Sequence, residues 1–409
     1  MGYKIFVINP GSTSTKLAYF DGMDKLFEES VTHDAAELAR FHRISDQFDY
    51  RFNIIVDFLK ENNIDLTGVD AIVGRGGGAY PEEGGVYEIT DLLVEHSMIP
   101  IDGIEHPATL GVPLADKLHK KFGGRAFMVD SPASDELQDL ARITGIKGQY
   151  RPSAAHALNI KGTLRKYCRE HGLKYEDGCF IGCHVDGGIS ITAHDHGRMI
   201  DTTSSAQAEG PFTPTRTGTH PFAAVLDMVE AGLAAQAAGT YDATSAVASA
   251  NTYDIANAVA IDGNAALNKE QIETVLHDLR DMTIKSGGFV SYFGTSDSDE
   301  VHAMVEQGDP EASLVWEAMG YNICKAIGSM ATVLSGKVDA IVLGGRLLRF
   351  DDLCQRIRDR CEWIAPVFFY PGEVEHEAMA HGALMVLNGE IEPKIYSGHP
   401  VWSGFEWDK

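Results

Sequence analysis

Apolar residues recur along the chain with two different periods, which predict strands and helices in alternation. Short apolar runs rich in β-branched and aromatic residues predict buried strands at 3–8, 17–20, 69–73, 125–129, 179–185, 189–193, 340–343 and 367–370. Apolar residues spaced three or four positions apart predict helices at 46–62, 110–122, 134–144, 311–334, 350–360 and 375–388. Because the two kinds of element alternate, the sequence predicts the α/β class.

One longer pattern occurs twice. A strand, a polar loop, a second strand and a turn occupy 3–22, and the same order returns at 179–197. A repeat of this kind predicts two related domains that face each other. The segment 234–268 is different, because it is rich in Ala, Thr and Asn, and we interpret it as an insertion of undefined structure.

Composition and charge narrow the classes of partner. The 409 residues include 34 Lys and Arg against 59 Asp and Glu, a formal net charge of −25. Such a surface repels phosphate backbones and anionic lipids, so we expect neither nucleic acid nor a membrane as a partner. The chain has no apolar run of ~20 residues, no signal-peptide pattern at its start and no C-x-x-C pair among its six cysteines. These features predict a cytoplasmic protein that holds any anionic substrate with a local cluster of donors.

Two glycine-containing loops are candidates for binding anions. The loop at 9–16 (NPGSTSTK) combines backbone amides, small hydroxyl residues and Lys16, which together can hold phosphate oxygens. It is not a Walker loop, because G-x-x-x-x-G-K-[ST] is absent and a strand follows it. Arg75 lies within 74–78 (GRGGG), where a guanidinium can reach an oxyanion without steric cover. A plain polar hairpin and an incidental exposed arginine are the alternatives for these two loops.

Three other patterns resemble known binding motifs but lack a feature that each motif requires. Residues 74–79 fit G-x-G-x-x-A, but the helix that a dinucleotide site requires does not follow. His376 and His381 are five residues apart, about 140° round a helix, so they do not form a zinc-binding pair. Cys179, Cys183 and His184 lack a second ligand pair and alternate between strand faces, so we interpret the cysteines as core residues.

Seven strings occur in an order that resembles one known family. They are INPGSTSTK (8–16), VGRGGG (73–78), MVDSPASDEL (128–137), HALNIKG (156–162), HVDGGISITAH (184–194), EGPFTPTRTG (209–218) and PGEVEHEAMAHGAL (371–384). Together they resemble the acetokinase family, and within it the branch that phosphorylates butyrate. The pairing of N-x-G-S-x-S-x-K with H-x-x-G-G is the most specific part of the resemblance.

The resemblance implies the duplicated fold of acetate and sugar kinases, heat-shock chaperones and actin, with an interdomain cleft. On this basis we expect an N-terminal domain at 1–152 that is closed by 383–409. A C-terminal nucleotide-binding and dimerisation domain at 153–382 would carry the insertion. The resemblance also implies a homodimer or a higher homo-oligomer, and the wide apolar stripe of the predicted helix 311–334 favours the same conclusion.

The resemblance further implies roles for individual residues. These are Arg75, Asp130, His156 and Arg216 for catalysis; Arg75 and His106 for substrate binding; Ser12, Ser14, Lys16, His184, Gly187, Gly188, Asp297, Gly344 and Gly345 for nucleotide binding; and Asn9 and Glu375 for a magnesium ion. Glu373 and Glu377 are close enough to leave the register of the magnesium glutamate open. The implied cofactors are ATP or ADP and Mg²⁺.

Three features depart from the family pattern. Asp186 stands where related loops usually have Gly, and its carboxylate adds negative charge beside a phosphate site. Arg346-Leu347-Leu348 replaces a smaller and more apolar sequence. These two departures concern nucleotide affinity, whereas the insertion at 234–268 concerns assembly.

The activity implied by the resemblance is reversible, in-line phosphoryl transfer from ATP to the carboxylate of butyrate or a related short- or branched-chain fatty acid. The products are an acyl phosphate and ADP, and no phosphoenzyme intermediate is required. Acetate or propionate kinase activity is one alternative. A non-catalytic nucleotide-binding module on the same fold is the alternative from a different class.

Overall fold

The computed structural model describes residues 2–99, 106–237, 239, 241 and 267–408. The strands in these ranges are β1 (Lys4–Pro10), β2 (Ser14–Asp21), β3 (Asp24–Thr32), β4 (Ala71–Gly74), β5 (Val86–Glu88), β6 (Arg125–Val129), β7 (Cys179–Val185), β8 (Ile189–Asp195), β9 (Arg198–Thr202), β10 (Ala340–Gly345), β11 (Val367–Pro371) and β12 (Lys394–Ile395). The α-helices are α1 (Ala35–Leu38), α2 (Phe48–Glu61), α3 (Asp91–Ser97), α4 (Gly111–Phe122), α5 (Asp139–Arg142), α6 (Ala157–Glu170), α7 (Phe222–Ala237), α8 (Lys269–Asp281), α9 (Gly288–Phe293), α10 (Ser298–Glu306), α11 (Pro310–Val333), α12 (Asp351–Cys361) and α13 (Glu375–Leu387). Most of the predicted insertion lies outside the described residues.

The strands form two sheets that share one core arrangement. The seven-stranded sheet has the order β12-β5-β6-β4-β1-β2-β3, and the five-stranded sheet has the order β11-β10-β7-β8-β9. In each sheet an antiparallel run of three strands (β1 to β3, β7 to β9) is extended by two parallel strands (β4 and β6, β10 and β11). The predicted duplication is therefore confirmed at the level of sheet topology.

Two helices, α6 and α13, pack against each other between the sheets. Leu158 of α6 and Met379 of α13 lie in the core of the first sheet, while Ile160 and Leu164 of α6 pack on Phe180 of the second. The helices approach closely at Gly162, where an added Cβ would lie 2.5 Å from the Cβ of Ala378. This pair fixes the position of one sheet relative to the other.

Most predicted elements are confirmed, but the helix predicted at 134–144 is wrong. Only Asp139–Arg142 is helical there, because the acidic residues just before it are engaged in buried tertiary contacts. Asp135 accepts two hydrogen bonds from Arg142, at 2.8 and 2.7 Å, and Glu136 pairs with Lys161 at 2.7 Å. These contacts replace the helical hydrogen bonds that the apolar spacing had indicated.

Two further observations bear on organisation. The expected boundary between 382 and 383 falls inside α13, so the division into 1–152 with 383–409 and 153–382 stays a prediction. No helix in the described ranges is both long enough and apolar enough to cross a membrane.

Candidate active site

The candidate site lies where the strand ends of both sheets meet the first turns of α6 and α13. Asn9 is the penultimate residue of β1, Arg75 follows β4, and Glu375 is the first residue of α13. His156 immediately precedes α6, and His184 lies near the end of β7. Because parallel strands direct their carboxyl ends to one edge of a sheet, residues distant in sequence are brought together here.

Glu375 is the centre of the first half of the site. Its carboxylate accepts hydrogen bonds from Nδ2 of Asn9 at 2.6 Å and from Nδ2 of Asn159 at 2.9 Å, and it forms an ion pair with Arg75. Burial alone would raise the pKa of the Glu375 carboxyl, but Arg75 and the two amide donors hold that pKa well below its usual range. Glu375 is therefore an anion at neutral pH, while Glu377 pairs with Lys166 instead.

Arg51 of α2 holds the loop after β1 by hydrogen bonds, and its side chain is completely buried. The Arg51 guanidinium donates to the carbonyl oxygens of Gly11, at 2.9 Å, and Ser12, at 3.3 Å, and to Oγ1 of Thr15, at 3.2 Å. These bonds fix the backbone of the predicted phosphate loop. Ser12 is exposed in this loop, and Ser14 is half-buried.

A cavity of about 210 Å³ opens between this loop and Glu375. Its lining combines charged groups with small apolar surfaces, from Asn9, Pro10, Gly11, Ser14, Lys16, Arg75, His106, Ala108 and Glu375. Nδ1 of His106 accepts a hydrogen bond from the backbone N–H of Ala108 at 3.1 Å, which orients the ring. Asn9 and Lys16 are cross-strand partners in the β1–β2 ladder, so both belong to one rigid hairpin.

The second half of the site is built around two neighbouring histidines, whose ring planes are inclined by 35°. The rings of His156 and His184 have centroids 4.4 Å apart, and His156 Nδ1 shares a hydrogen bond of 2.9 Å with Ser190. A Cβ at Gly188 would lie within 3.0 Å of both the His156 ring and the Arg216 guanidinium, so the absence of a side chain lets these groups converge. Arg216 is held in turn by a 2.6 Å hydrogen bond from Nη1 to Ser205.

Burial sets the protonation of these histidines. It lowers the pKa of both imidazoles, and for His156 the nearby His184, Arg216 and Arg75 lower it further, well below its usual value. Both rings are therefore neutral at physiological pH. A neutral imidazole can donate one hydrogen bond without adding a full charge to the site.

A chain of four charged side chains links the two sheets at the edge of the cleft. Lys16 pairs with Glu373 at 2.6 Å, and Glu373 lies 3.7 Å from Arg346. Arg346 in turn pairs with Asp186, with its Nε 2.9 Å from Oδ2. The guanidinium therefore offsets the charge that Asp186 was expected to add, and it holds the pKa of Asp186 below its usual value although burial opposes this.

Of the residues expected at the nucleoside, Gly344 and Gly345 immediately precede Arg346, whereas Asp297 lies at the start of α10. Gly344 and Gly345 end β10, and a Cβ at Gly345 would lie 2.2 Å from the carbonyl oxygen of Val185. Asp297 caps α10 by accepting from the N–H of Asp299 at 2.8 Å. Asp299 pairs with Arg349 at 2.9 Å, which ties α10 to the segment after Gly345.

Asp130 has a different environment from the other expected catalytic residues. Its side chain is fully buried, with one oxygen accepting from the N–H of Gly85 at 2.8 Å and the other paired with Arg165 of α6. Neither partner belongs to the groups around Glu375 or His156. The structure thus places Arg75 and Arg216 close enough to His156 for both charges to lower its pKa, but surrounds Asp130 with a separate ion pair.

Sequence reasoning missed two residues of the site, and each left a signal. Arg51 occupies the apolar face of α2 between Phe48 and Ile55, an unusual place for a cation without a buried task. Asn159 is a buried polar residue in the first turn of α6, three positions after His156.

Comparisons with known proteins show the family and the fold of this chain. No family model matches the sequence. The probable butyrate kinase of Clostridium botulinum (strain Alaska E43 / Type E3) is 36% identical over 396 residues, which are 97% of this chain and 100% of that protein.

Solved structures show the same fold. An acetate kinase from Porphyromonas gingivalis superposes with a TM-score of 0.67 at 18% identity, over 95% of this chain and 100% of that one. A propionate kinase from Francisella tularensis gives a TM-score of 0.64 at 16% identity, over 93% and 98% of the two chains. The expected duplicated acetate kinase fold is confirmed, and the identity to the clostridial protein over nearly the whole chain shows that this protein belongs to the butyrate kinases of the acetokinase family.

Proposed function

We propose that this protein transfers the γ-phosphoryl group of ATP reversibly to the carboxylate of butyrate or a related short- or branched-chain fatty acid. The observation that carries the proposal is the arrangement of Arg75 in a small cavity on one side, and of Arg216 with His156 on the other. Phosphoryl transfer needs little covalent chemistry from the protein, so positioning and charge neutralisation account for most of the catalysis. This site offers both within an otherwise acidic protein.

The cavity supports a small carboxylic acid as the acceptor. Arg75 supplies a guanidinium for the carboxylate, while Pro10 and Ala108 supply apolar surface for a short acyl chain. At about 210 Å³ the cavity is smaller than the pockets that hold drug-sized ligands. His106 lines the same cavity and is proposed to contact the acid.

The residues near Glu375 fit a magnesium ion, which the family implies. Mg²⁺ prefers carboxylate and amide oxygens and keeps several waters. Glu375 is ionised and lies beside Asn9, and within the described part of the chain the buried Oδ1 of Asn159 has no hydrogen-bond partner. We propose Asn9 and Glu375 as the magnesium residues, with Asn159 as a supporting oxygen, and the ion would neutralise phosphate charge when bound.

The phosphates are proposed to lie between the two glycine loops. Ser12, Ser14 and Lys16 provide donors from the first loop, and His184, Gly187 and Gly188 from the second, while Gly344, Gly345 and Asp297 would face the nucleoside. Arg216 and the neutral His156 would donate to the oxygens of the phosphoryl group as its charge spreads in the transition state. The carboxylate can then attack in line, which requires no protein nucleophile.

For Asp130 we propose a positioning role and not a role in proton transfer. Both of its oxygens are engaged, by Gly85 and Arg165, and its side chain has no exposed surface. We propose that Asp130 positions the loop after β6 beside Arg75. Gly76, the next residue after Arg75, packs against Met128 and Ser131, which lie on either side of Asp130 in the sequence.

The alternative of a non-catalytic nucleotide-binding module loses its main support. An uncompensated carboxylate at Asp186 would favour that alternative, because it would repel the phosphates of ATP, but Arg346 offsets its charge. The six cysteines, all described and all free, are compatible with the reducing cytoplasm that we propose as the location.

A hydroxamate assay for acyl phosphate with ATP, Mg²⁺ and acids from acetate to valerate tests the function. We expect the highest kcat/KM for a four- or five-carbon acid, and loss of activity in Arg75→Ala but not in Arg40→Ala, which removes an exposed surface arginine. Highest kcat/KM for acetate or propionate would assign the alternative substrates. Binding of ATP without acyl phosphate from any acid would contradict catalysis altogether.

A further inference from the structure

Three potential metal ligands lie where β7 begins and β8 ends. This edge of the second sheet is remote from the second glycine loop (186–188). Sγ of Cys179 is 3.3 Å from Oδ1 of Asp195 and 4.0 Å from Nδ1 of His196, and the Asp195 and His196 atoms are 2.5 Å apart. Among the described residues, this is the one group of three or more Cys, His, Asp or Glu side chains whose ligand atoms all lie within 4.8 Å of one another.

The backbone holds these three residues in place before any ligand binds. Cys179 and Asp195 are directly opposite each other in the antiparallel β7–β8 ladder. His196 follows with a left-handed φ of 47°, and its N–H donates to the carbonyl oxygen of Gly178 at 3.0 Å. Asp339 accepts from the N–H of Cys179 at 2.7 Å, which fixes the start of β7 against β10.

One of the three interatomic distances already fits a triangular face of a tetrahedral site, and the other two can reach it by small side-chain shifts. With metal–ligand bonds of ~2.0–2.3 Å, neighbouring ligand atoms in such a site are about 3.3–3.6 Å apart. The two distances from sulfur, 3.3 and 4.0 Å, bracket this range. The Asp195–His196 contact of 2.5 Å is a hydrogen bond that must open by roughly 1 Å, and His196, with 64% of its side chain exposed, has room to move.

We propose that Cys179, Asp195 and His196 form a second metal site, which takes a transition-metal dication such as Zn²⁺ and leaves a fourth position open to water. A set of one thiolate, one imidazole and one carboxylate selects Zn²⁺ or Co²⁺ over Mg²⁺, which prefers oxygen ligands only. On binding, the Cys179 thiol loses its proton to solvent and the sulfur becomes the ligand. The carboxylates of Asp195 and Asp339 outweigh the single guanidinium of Arg198 nearby, so the surroundings attract a cation.

This site is separate from the proposed magnesium residues. Cys179 begins β7, whereas His184 and the second glycine loop (186–188) lie at its other end, and a strand of seven residues spans ~20 Å. The sequence pattern of Cys179, Cys183 and His184 did not indicate a metal site, because it has no second ligand pair and its residues alternate between strand faces. In the structure Cys183 is buried in the core. The ligands come instead from the neighbouring strand, which no spacing along β7 could indicate.

Titration of the reduced, metal-free protein with Co²⁺ tests the proposal. We expect one equivalent to give the near-ultraviolet charge-transfer absorption of a thiolate–cobalt bond, and Zn²⁺ to displace it. The absorption should disappear in Cys179→Ser and persist in Cys354→Ser, which removes another half-buried thiol. Asparagine tolerates the left-handed backbone at position 196. In His196→Asn we therefore expect Co²⁺ to bind at least tenfold more weakly.

Each outcome decides the matter. No charge-transfer absorption in the wild-type protein, or an absorption that survives in Cys179→Ser, would overturn the site. Unchanged affinity in His196→Asn would show that the three residues do not act together. Circular dichroism of each variant confirms that the fold is intact, and because the measurement uses no ATP or acid, its result does not depend on the proposed function.

Discussion

Asp186 and Arg346 form a two-pronged ion pair at the ends of β7 and β10, with Nε 2.9 Å from Oδ2 and Nη2 3.0 Å from Oδ1. The backbone N–H of Arg346 also donates to Oδ2, at 3.2 Å. Two departures from the family pattern that looked independent in the sequence are thus the two halves of one contact. Asp186 is 11% exposed and Arg346 61% exposed, so the carboxylate depends on the guanidinium more than the reverse.

The pair predicts that removing Arg346 weakens ATP binding more than removing Asp186 does. Arg346→Leu leaves a buried carboxylate uncompensated beside the proposed phosphate loop, and we expect KM for ATP to rise about tenfold, equal to ~1.4 kcal/mol. Asp186→Gly should change this KM much less, or lower it, because it frees Arg346 for a phosphate. The double variant should recover most of the loss, which steady-state kinetics at several Mg²⁺ concentrations will measure. A double variant as impaired as Arg346→Leu would show that the two residues act separately.

Arg216 should matter to the transition state far more than to the fold. One preorganised donor to a developing oxyanion contributes about 3 kcal/mol, so we expect Arg216→Ala to lower kcat roughly 100-fold or more. The Arg216 guanidinium donates a hydrogen bond to Ser205 and does not pack in an apolar core. Thermal stability of the variant should therefore stay near that of the wild type. Arg40→Ala is the matched control, and near wild-type turnover in Arg216→Ala would remove it from the site.

Local sequence patterns predicted most strands and helices because alternation and helical spacing are properties of short segments. The repeat at 3–22 and 179–197 predicted the shared topology of the sheets for the same reason. Pairings between distant residues leave no local pattern. The prediction of a helix at 134–144 was therefore wrong, because Asp135 and Glu136 form buried ion pairs with Arg142 and Lys161.

The same limit applies to the site. The resemblance named Asn9, Arg75 and Glu375 individually, but their hydrogen-bonded contact joins positions up to 366 residues apart. The sequence also presented Asp186 as a lone charge, since nothing at that position indicates a partner 160 residues later.

We expect a homodimer, although α11 supports it less than its apolar stripe indicated. Val315, Met319, Ile323 and Ile327 of this helix are buried in the core of the second sheet, whereas Leu314 is 69% exposed. Light scattering at micromolar concentration should give about twice 44.4 kDa. A clean monomer would rule the dimer out, and a larger closed oligomer would show a second interface.

The buried carboxyl of Glu82 predicts how stability depends on pH. Glu82 is 5% exposed, and burial raises its pKa from 4.5 to about 8. Between these two values the folded chain keeps a proton that the unfolded chain has lost. The stabilising contribution is therefore complete below pH 4.5 and is lost as the pH rises through 8.

Glu82→Gln keeps the shape of the protonated carboxyl and cannot ionise. We expect the variant to resemble the wild type near pH 5 and to exceed it in free energy of unfolding near pH 8, by on the order of a few kcal/mol. Urea unfolding at several pH values measures this difference. Glu83→Gln is the control, because Glu83 is 55% exposed, pairs with Lys394 at 2.8 Å and should leave the pH dependence unchanged. If the two variants differ from the wild type by the same amount at every pH, Glu82 is ionised in the folded protein and the assignment is wrong.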